Sequence, residues 1–161
     1  MKLWQALYGM IWIVLMEFLL AMSTHVTGSS VLISILIWLH VGLGLGIVAL
    51  AFNNYDGIRK STIAGRVKRT AKSTFQLSIV MAVLGVVLLF KDPLSWTVPV
   101  LNLSLFYIIL FVHVVNAFAI ITQAAAVAIA YDMWEDKEFL TETAPGEVPA
   151  MPMPAKPTPK P

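Results

Sequence analysis

Four long segments of this chain are almost free of charge, and this pattern excludes most folds. They cover residues 4–22, 31–52, 75–90 and 103–130. A helix of about 17–25 residues crosses the hydrocarbon core of a bilayer, and the shortest segment reaches that length if Lys72 and Lys91 snorkel at its ends. None of the segments alternates between polar and apolar positions as a barrel strand does. The sequence therefore predicts an all-α fold, an integral membrane bundle of four helices.

The composition supports a membrane protein and excludes several kinds of site. Of the 161 residues, 58% are hydrophobic and only 12% are charged, whereas a soluble domain carries about 25% charged residues. So few charges cannot cover a soluble surface. The chain contains no cysteine, so by itself it cannot build a disulfide, a zinc thiolate site, an iron–sulfur cluster or a covalently attached c-type haem.

The basic residues gather between the second and third apolar segments. Residues 53–74 contain one acid, Asp56, and a cluster of basic residues: Arg59, Lys60, Arg66, Lys68, Arg69 and Lys72. The positive-inside rule predicts that this loop and both termini are cytoplasmic, in a multi-pass protein of the plasma membrane. The loop also suits anionic lipid headgroups of the bilayer. Topology accounts for the basic residues, so no nucleic-acid partner is expected.

The chain changes character after residue 131, the last residue of the predicted bundle (residues 1–131). Acidic residues follow as far as Glu147, and prolines recur from Pro145 to the end. A segment of this composition has no apolar core, so residues 132–161 are predicted to form an extended cytoplasmic tail. Such a tail suits docking on a partner. It favours a chain that works with other membrane subunits or as a homodimer.

The second and fourth segments share a pattern centred on His40 and His113. In each, an aromatic residue precedes the histidine by two positions and a valine follows it. Small and bulky residues then alternate up to an isoleucine, and the matched pairs are Trp38 with Phe111, Gly44 with Ala117, Leu45 with Phe118, Gly46 with Ala119 and Ile47 with Ile120. The repeat predicts two helical hairpins in parallel orientation. Both histidines then lie about 14–15 Å from the outer boundary, at 1.5 Å per residue.

Two imidazoles that face each other at one depth suit the iron of a six-coordinate haem. Ionisable residues inside a membrane are rare and are functional candidates by default. One turn after each histidine, Gly44 and Ala117 leave room for a macrocycle, and Trp38, Phe111 and Phe118 are predicted to flank it. We therefore expect a bis-histidine haem b. A chlorophyll-type tetrapyrrole, whose magnesium takes one imidazole, and interhelical hydrogen bonding without a cofactor are the alternatives.

Other polar residues inside or beside the apolar segments have two interpretations each. Glu17 is either a proton-handling carboxylate beside the cofactor, and so a catalytic candidate, or a protonated group bonded to a neighbouring helix. The position of Glu17 also argues against a cleaved signal peptide that ends near Ser23. The apolar region of a signal peptide usually spans about 7–15 residues. His25 lies at the outer interface, where it meets a propionate or is solvated. Asn116 and Gln123 are predicted to make packing hydrogen bonds.

Hairpins with a histidine in each second helix resemble haem A synthase, a family with two such four-helix halves and compact half-length archaeal members. The residues that carry the resemblance are Val26-Thr27-Gly28-Ser29, similar to the family's T-G-S-G, together with His40, His113 and residues 76–85. The resemblance covers residues 4–130. It implies that His40 and His113 are axial ligands of one haem in a membrane cytochrome b-like fold.

The chain departs from the pattern of this family at three places. Ile37 stands where the family has a glutamate, Val41 stands where it has an arginine, and residues 23–30 lack its cysteine pair. The leading hypothesis is therefore a membrane haem-binding subunit that carries electrons within a respiratory or photosynthetic complex. The alternatives are a compact enzyme that oxidises a haem methyl group, as the resemblance implies, and a cofactor-free structural subunit.

Overall fold

The computed structural model describes residues 2–26, 28–90 and 92–142, apart from the side chains of His25 and of residues 138–142. The described residues form four long helices: α1 (Leu3–Val26), α2 (Ser30–Lys60), α3 (Gly65–Leu88) and α4 (Leu105–Glu142). All four are long and apolar enough to cross a membrane. The prediction of an all-α, multi-pass membrane bundle is confirmed.

All four helices extend beyond the apolar segments that predicted them, and α2, α3 and α4 extend furthest. α2 continues to Lys60, α3 begins at Gly65, and α4 continues to Glu142. Hydropathy marks the part of a helix that suits lipid, whereas the helix itself continues until its backbone hydrogen bonding is interrupted. The acidic segment therefore begins as helix rather than as an extended tail, since no proline lies between residues 131 and 145. Thr27, Lys91 and the proline-rich residues 143–161 lie outside the described residues.

The four helices form a square. α1 and α3 each pack against both α2 and α4, so α2 and α4 lie diagonally opposite each other. The α1–α2 and α3–α4 connections are at one end, called here the two-loop end. The α3–α4 connection contains a short 3-10 turn (Asp92–Ser95) and an antiparallel pair of two-residue strands, β1 (Thr97–Val98) and β2 (Leu103–Ser104). The α2–α3 connection, with its lysines and arginines, is at the opposite, basic end.

The buried apolar core lies in the basic half of the bundle. Two adjoining clusters form it, and they comprise Leu7, Ile58, Ile63, Ala71, Val127 and Ala128, then Met10, Val14, Ile47, Ala51, Ile120 and Ala124. Ile47 and Ile120, which match in the sequence repeat, are both buried. Near the basic end α1 and α2 approach so closely that a Cβ at Gly57 would lie 2.7 Å from Leu3 Cδ1. Glycine at this position permits the contact.

Side-chain hydrogen bonds between helices set their register. Between α1 and α2, the Asn54 amide donates a hydrogen bond to the Ala6 carbonyl at 3.3 Å. Between α3 and α4, the Thr74 hydroxyl donates to Gln123 Oε1 at 3.2 Å, and the Asn116 amide donates to the Leu77 carbonyl at 2.9 Å. Between α1 and α4, the Tyr8 hydroxyl donates to Asp132. The predicted packing hydrogen bonds of Asn116 and Gln123 are thus confirmed. Because these bonds join α1 to α2, α3 to α4 and α1 to α4, they hold residues from all four helices at defined levels.

Candidate functional site

His40 and His113 face each other inside the bundle. Their ring centroids are 6.3 Å apart, and the ring planes are inclined by 56°. Each histidine lies in the half of its helix nearer the two-loop end, on the diagonal pair α2 and α4. The structure therefore brings together the two residues for which the repeat predicts a common depth.

A cavity of about 310 Å³ surrounds the two imidazoles. All four helices line it, and the lining is apolar except for the side chains of Glu17, His40, Ser78 and His113. Its smallest lining residues are Ala21, Gly44, Ala82, Gly85 and Ala117. An apolar cavity of about 300–1,000 Å³ with a few convergent polar groups is the usual form of a small-molecule or cofactor site.

Glu17 of α1 contacts His40. One carboxylate oxygen of Glu17 lies against Nδ1 of His40, and the glutamate is only 6% exposed. Its other oxygen, Oε1, is buried and has no hydrogen-bond partner within the described part of the chain. The sequence pattern predicted that Glu17 either lies beside the cofactor or bonds a neighbouring helix, and it did not identify His40 as the residue in contact. A usable signal was present, however, because Glu17 and His40 lie at similar distances from the α1–α2 connection.

His113 has a different environment from His40. Its Nδ1 is buried without a hydrogen-bond partner, as is that of His40, but among the residues described no carboxylate lies against it. Gly85 of α3 lies beside the ring, where an added Cβ would lie 3.4 Å from His113 Cε1. The sequence pattern did not single out Gly85 as a site residue, since nothing in a local apolar run indicates which residue faces another helix.

The remaining predicted site residues separate into two groups. Gly44 and Ala117 line the cavity, and a Cβ at Gly44 would meet no atom of the described chain within 4 Å. Trp38, Phe111 and Phe118 lie outside the lining and are 69%, 69% and 55% exposed. Trp38 and Phe111 each precede a histidine by two positions. Two positions correspond to about 200° around a helix, so each ring points away from the side on which the histidine lies. These aromatic rings therefore face outward.

The donor set limits what the site can hold. In the described residues no three His, Cys, Asp or Glu side chains come together as a metal site. Two imidazole nitrogens by themselves would leave the other ligand positions of an ion between His40 and His113 unfilled. No protein-family model matches the chain, and comparisons with curated proteins and with solved structures also give no match. The fold and site define a class, a multi-pass membrane bundle with an internal cavity lined by two histidines.

Proposed function

We propose that this chain is a membrane cytochrome b-like subunit that binds one haem b between His40 and His113 and carries electrons within a larger membrane assembly. The observation that carries the proposal is the 6.3 Å separation of the two imidazole centroids across an apolar cavity. Ionisable side chains inside a membrane bundle mark functional sites by default, and here two of them converge from opposite corners of the bundle.

The separation of the rings fits two ligands of one metal ion. Bonds of about 2.0–2.1 Å from a first-row metal to two opposed imidazole nitrogens put those nitrogens about 4 Å apart, and the ring centroids about 6 Å apart. The observed 6.3 Å agrees with this value. Two imidazoles leave four positions of a six-coordinate ion to a porphyrin. A haem held in this way supplies reversible one-electron transfer.

The walls of the cavity also favour a flat, largely apolar group. Gly44, Gly85 and Ala117 lie beside the histidines and carry little or no side chain, so a macrocycle can approach the helix backbones. A chlorophyll-type tetrapyrrole fits the same walls, but its magnesium takes a single imidazole. It would leave the second histidine without a role. The pair of facing imidazoles therefore favours haem.

The position of the basic residues supports an orientation. The first residues of α1, the last residues of α4 and the α2–α3 connection share the basic end of the bundle. By the positive-inside rule we place this end in the cytoplasm of a cell bounded by the plasma membrane, with the haem nearer the outer face. A partner subunit or a second copy of the chain would then meet the cytoplasmic tail.

Absorption spectroscopy of the purified protein tests the proposal. Protein loaded with haem b is expected to give the sharp reduced-minus-oxidised band pair of a bis-imidazole haem. His40→Ala and His113→Ala should each lose or convert this low-spin spectrum. His25→Ala, in the last turn of α1, is the matched control and should keep it. A featureless visible spectrum of the wild-type protein, or an unchanged spectrum in both cavity variants, would exclude haem ligation by this pair.

One observation favours the enzymatic alternative, oxidation of a haem methyl group. Ile37 cannot move a proton, but Glu17 places a carboxylate against His40 in the same cavity, and a carboxylate there could act as an acid–base group. A haem held by both His40 and His113 would have no position open to oxygen, which favours electron transfer. Expression in a host that makes haem O but lacks haem A synthase separates the two functions. Haem A that accumulates only when Glu17 is present would identify the enzyme.

A further inference from the structure

We infer that Glu17 is a positioning residue for His40 and makes it the stronger electron donor of the two proposed ligands. In this arrangement the carboxylate accepts a hydrogen bond from Nδ1–H of His40, which leaves the lone pair on Nε2 for the iron. The inference rests on the proposed haem binding at His40 and His113. It adds an unequal role for the two histidines and assigns the inequality to one residue of α1.

The contact and its burial carry the first step. The Glu17 carboxylate lies against Nδ1 of His40, and the glutamate is 6% exposed in the middle of an apolar helix. A carboxylate in such a place is strongly unfavourable unless it is paired. Neutral imidazole has one donor nitrogen and one acceptor nitrogen. When Nδ1 is the donor toward Glu17, Nε2 is the nitrogen able to bind a metal.

General metal-site chemistry supplies the second step. A metal-bound histidine commonly donates its other ring N–H to a carboxylate, a carbonyl or a water, which fixes the ring and raises its basicity. Glu17 does this from α1 while His40 belongs to α2. The orientation of the imidazole is therefore coupled to the packing of the first hairpin.

The contrast with His113 supplies the third step. Nδ1 is buried without a hydrogen-bond partner in both histidines, but within the described part of the structure only that of His40 has a carboxylate against it. Beside the ring of His113, α3 presents Gly85. The two hairpins repeat their histidines and the small residues one turn further on. At this level, however, α1 offers a carboxylate, whereas α3 places a glycine beside the ring. The repeat is broken at the residues that would set the strength of each ligand.

Glu17→Gln tests the inference in the haem-loaded, full-length protein. Glutamine keeps the size of the side chain and an oxygen that accepts a hydrogen bond, but it removes the charge. We expect the bis-imidazole spectrum to remain, the midpoint potential to rise because the ferric state loses stabilisation, and haem to bind about 10- to 100-fold more weakly. Glu17→Asp keeps the charge at a shorter reach, so its potential should rise by a smaller amount. The midpoint potential of Glu17→Asp also tests the inference if Glu17→Gln does not fold.

Asp132→Asn is the matched control. It also exchanges a carboxylate for an amide, but Asp132 bonds Tyr8, and it lies about 28 Å from His113 along α4 at 1.5 Å per residue. The midpoint potential of the haem in Asp132→Asn should equal that of the wild type. A haem-loaded Glu17→Gln protein with wild-type potential and affinity would overturn this inference alone, even if its thermal stability fell. A wild-type protein that binds no haem would overturn the proposed function, and this inference with it.

Discussion

The side-chain amide of Asn116 donates a hydrogen bond to the backbone carbonyl of Leu77 at 2.9 Å, joining α4 to α3. Asn116 is buried and follows His113 by about one helical turn. A second bond between the same helices, from Thr74 to Gln123, lies further toward the basic end. Two bonds at different levels set the register of α3 against α4. They therefore determine which residue of α3 lies beside His113.

Asn116→Leu should weaken the pairing of α3 with α4. Interhelical hydrogen bonds in a membrane bundle contribute about 0.6 kcal/mol on average and at most about 1.7 kcal/mol, so we expect the free energy of unfolding in mixed micelles to fall by an amount in this range. Thr122→Val is the control, because the Thr122 hydroxyl bonds Phe118 within its own helix. Equal losses in the two variants would contradict a specific role for the bond between helices.

Gly44→Leu should block haem binding by filling the cavity. A Cβ at this position enters open space within the lining, so a longer side chain can grow into the volume that the macrocycle needs without displacing a helix. Gly42→Leu adds the same side chain two positions earlier, at an exposed residue outside the lining. Haem titration followed by absorbance should show saturation for Gly42→Leu and none for Gly44→Leu. Full binding by both variants would show that the haem does not bind in this cavity.

Gly85→Ser should strengthen His113 as a ligand. The 3.4 Å between an added Cβ and His113 Cε1 is ordinary van der Waals contact, and a serine hydroxyl there can accept a hydrogen bond from the unpartnered Nδ1–H. A more basic imidazole stabilises ferric iron, so the midpoint potential of the haem should fall. Gly85→Ala adds the Cβ alone and serves as the reference. Redox titrations that give equal potentials for serine and alanine would contradict this prediction.

Residues 64 and 95 should lie on opposite sides of the membrane. Ala64 and Ser95 are both exposed and stand in the α2–α3 and α3–α4 connections. The chain has no native cysteine, so Ala64→Cys and Ser95→Cys each introduce a single label site. A membrane-impermeant thiol reagent applied to intact cells should label residue 95, and it should reach residue 64 only after the membrane is opened. Labelling of both in intact cells would refute the proposed orientation.

The amino-acid sequence by itself determined the class of fold and the level of the histidines. Long apolar runs can be stable only in lipid, where every backbone group must be bonded within its own helix, so the number of helices followed from hydropathy. The repeat around His40 and His113 predicted their equal depth, because depth along a helix is proportional to residue number. Helix ends were less predictable, and α4 continues to Glu142 through most of the acidic residues.

Only the tertiary structure decided which side chains meet at that level. It paired Glu17 with His40 and put Gly85 beside His113, and it turned Trp38 and Phe111 to the outer surface. In an amphipathic soluble helix the polar stripe reveals the inward face, but these helices are apolar on all sides, so periodicity carries little information about rotation. Rotation is set by close packing and by a few hydrogen bonds between helices, and those contacts join residues far apart in the chain.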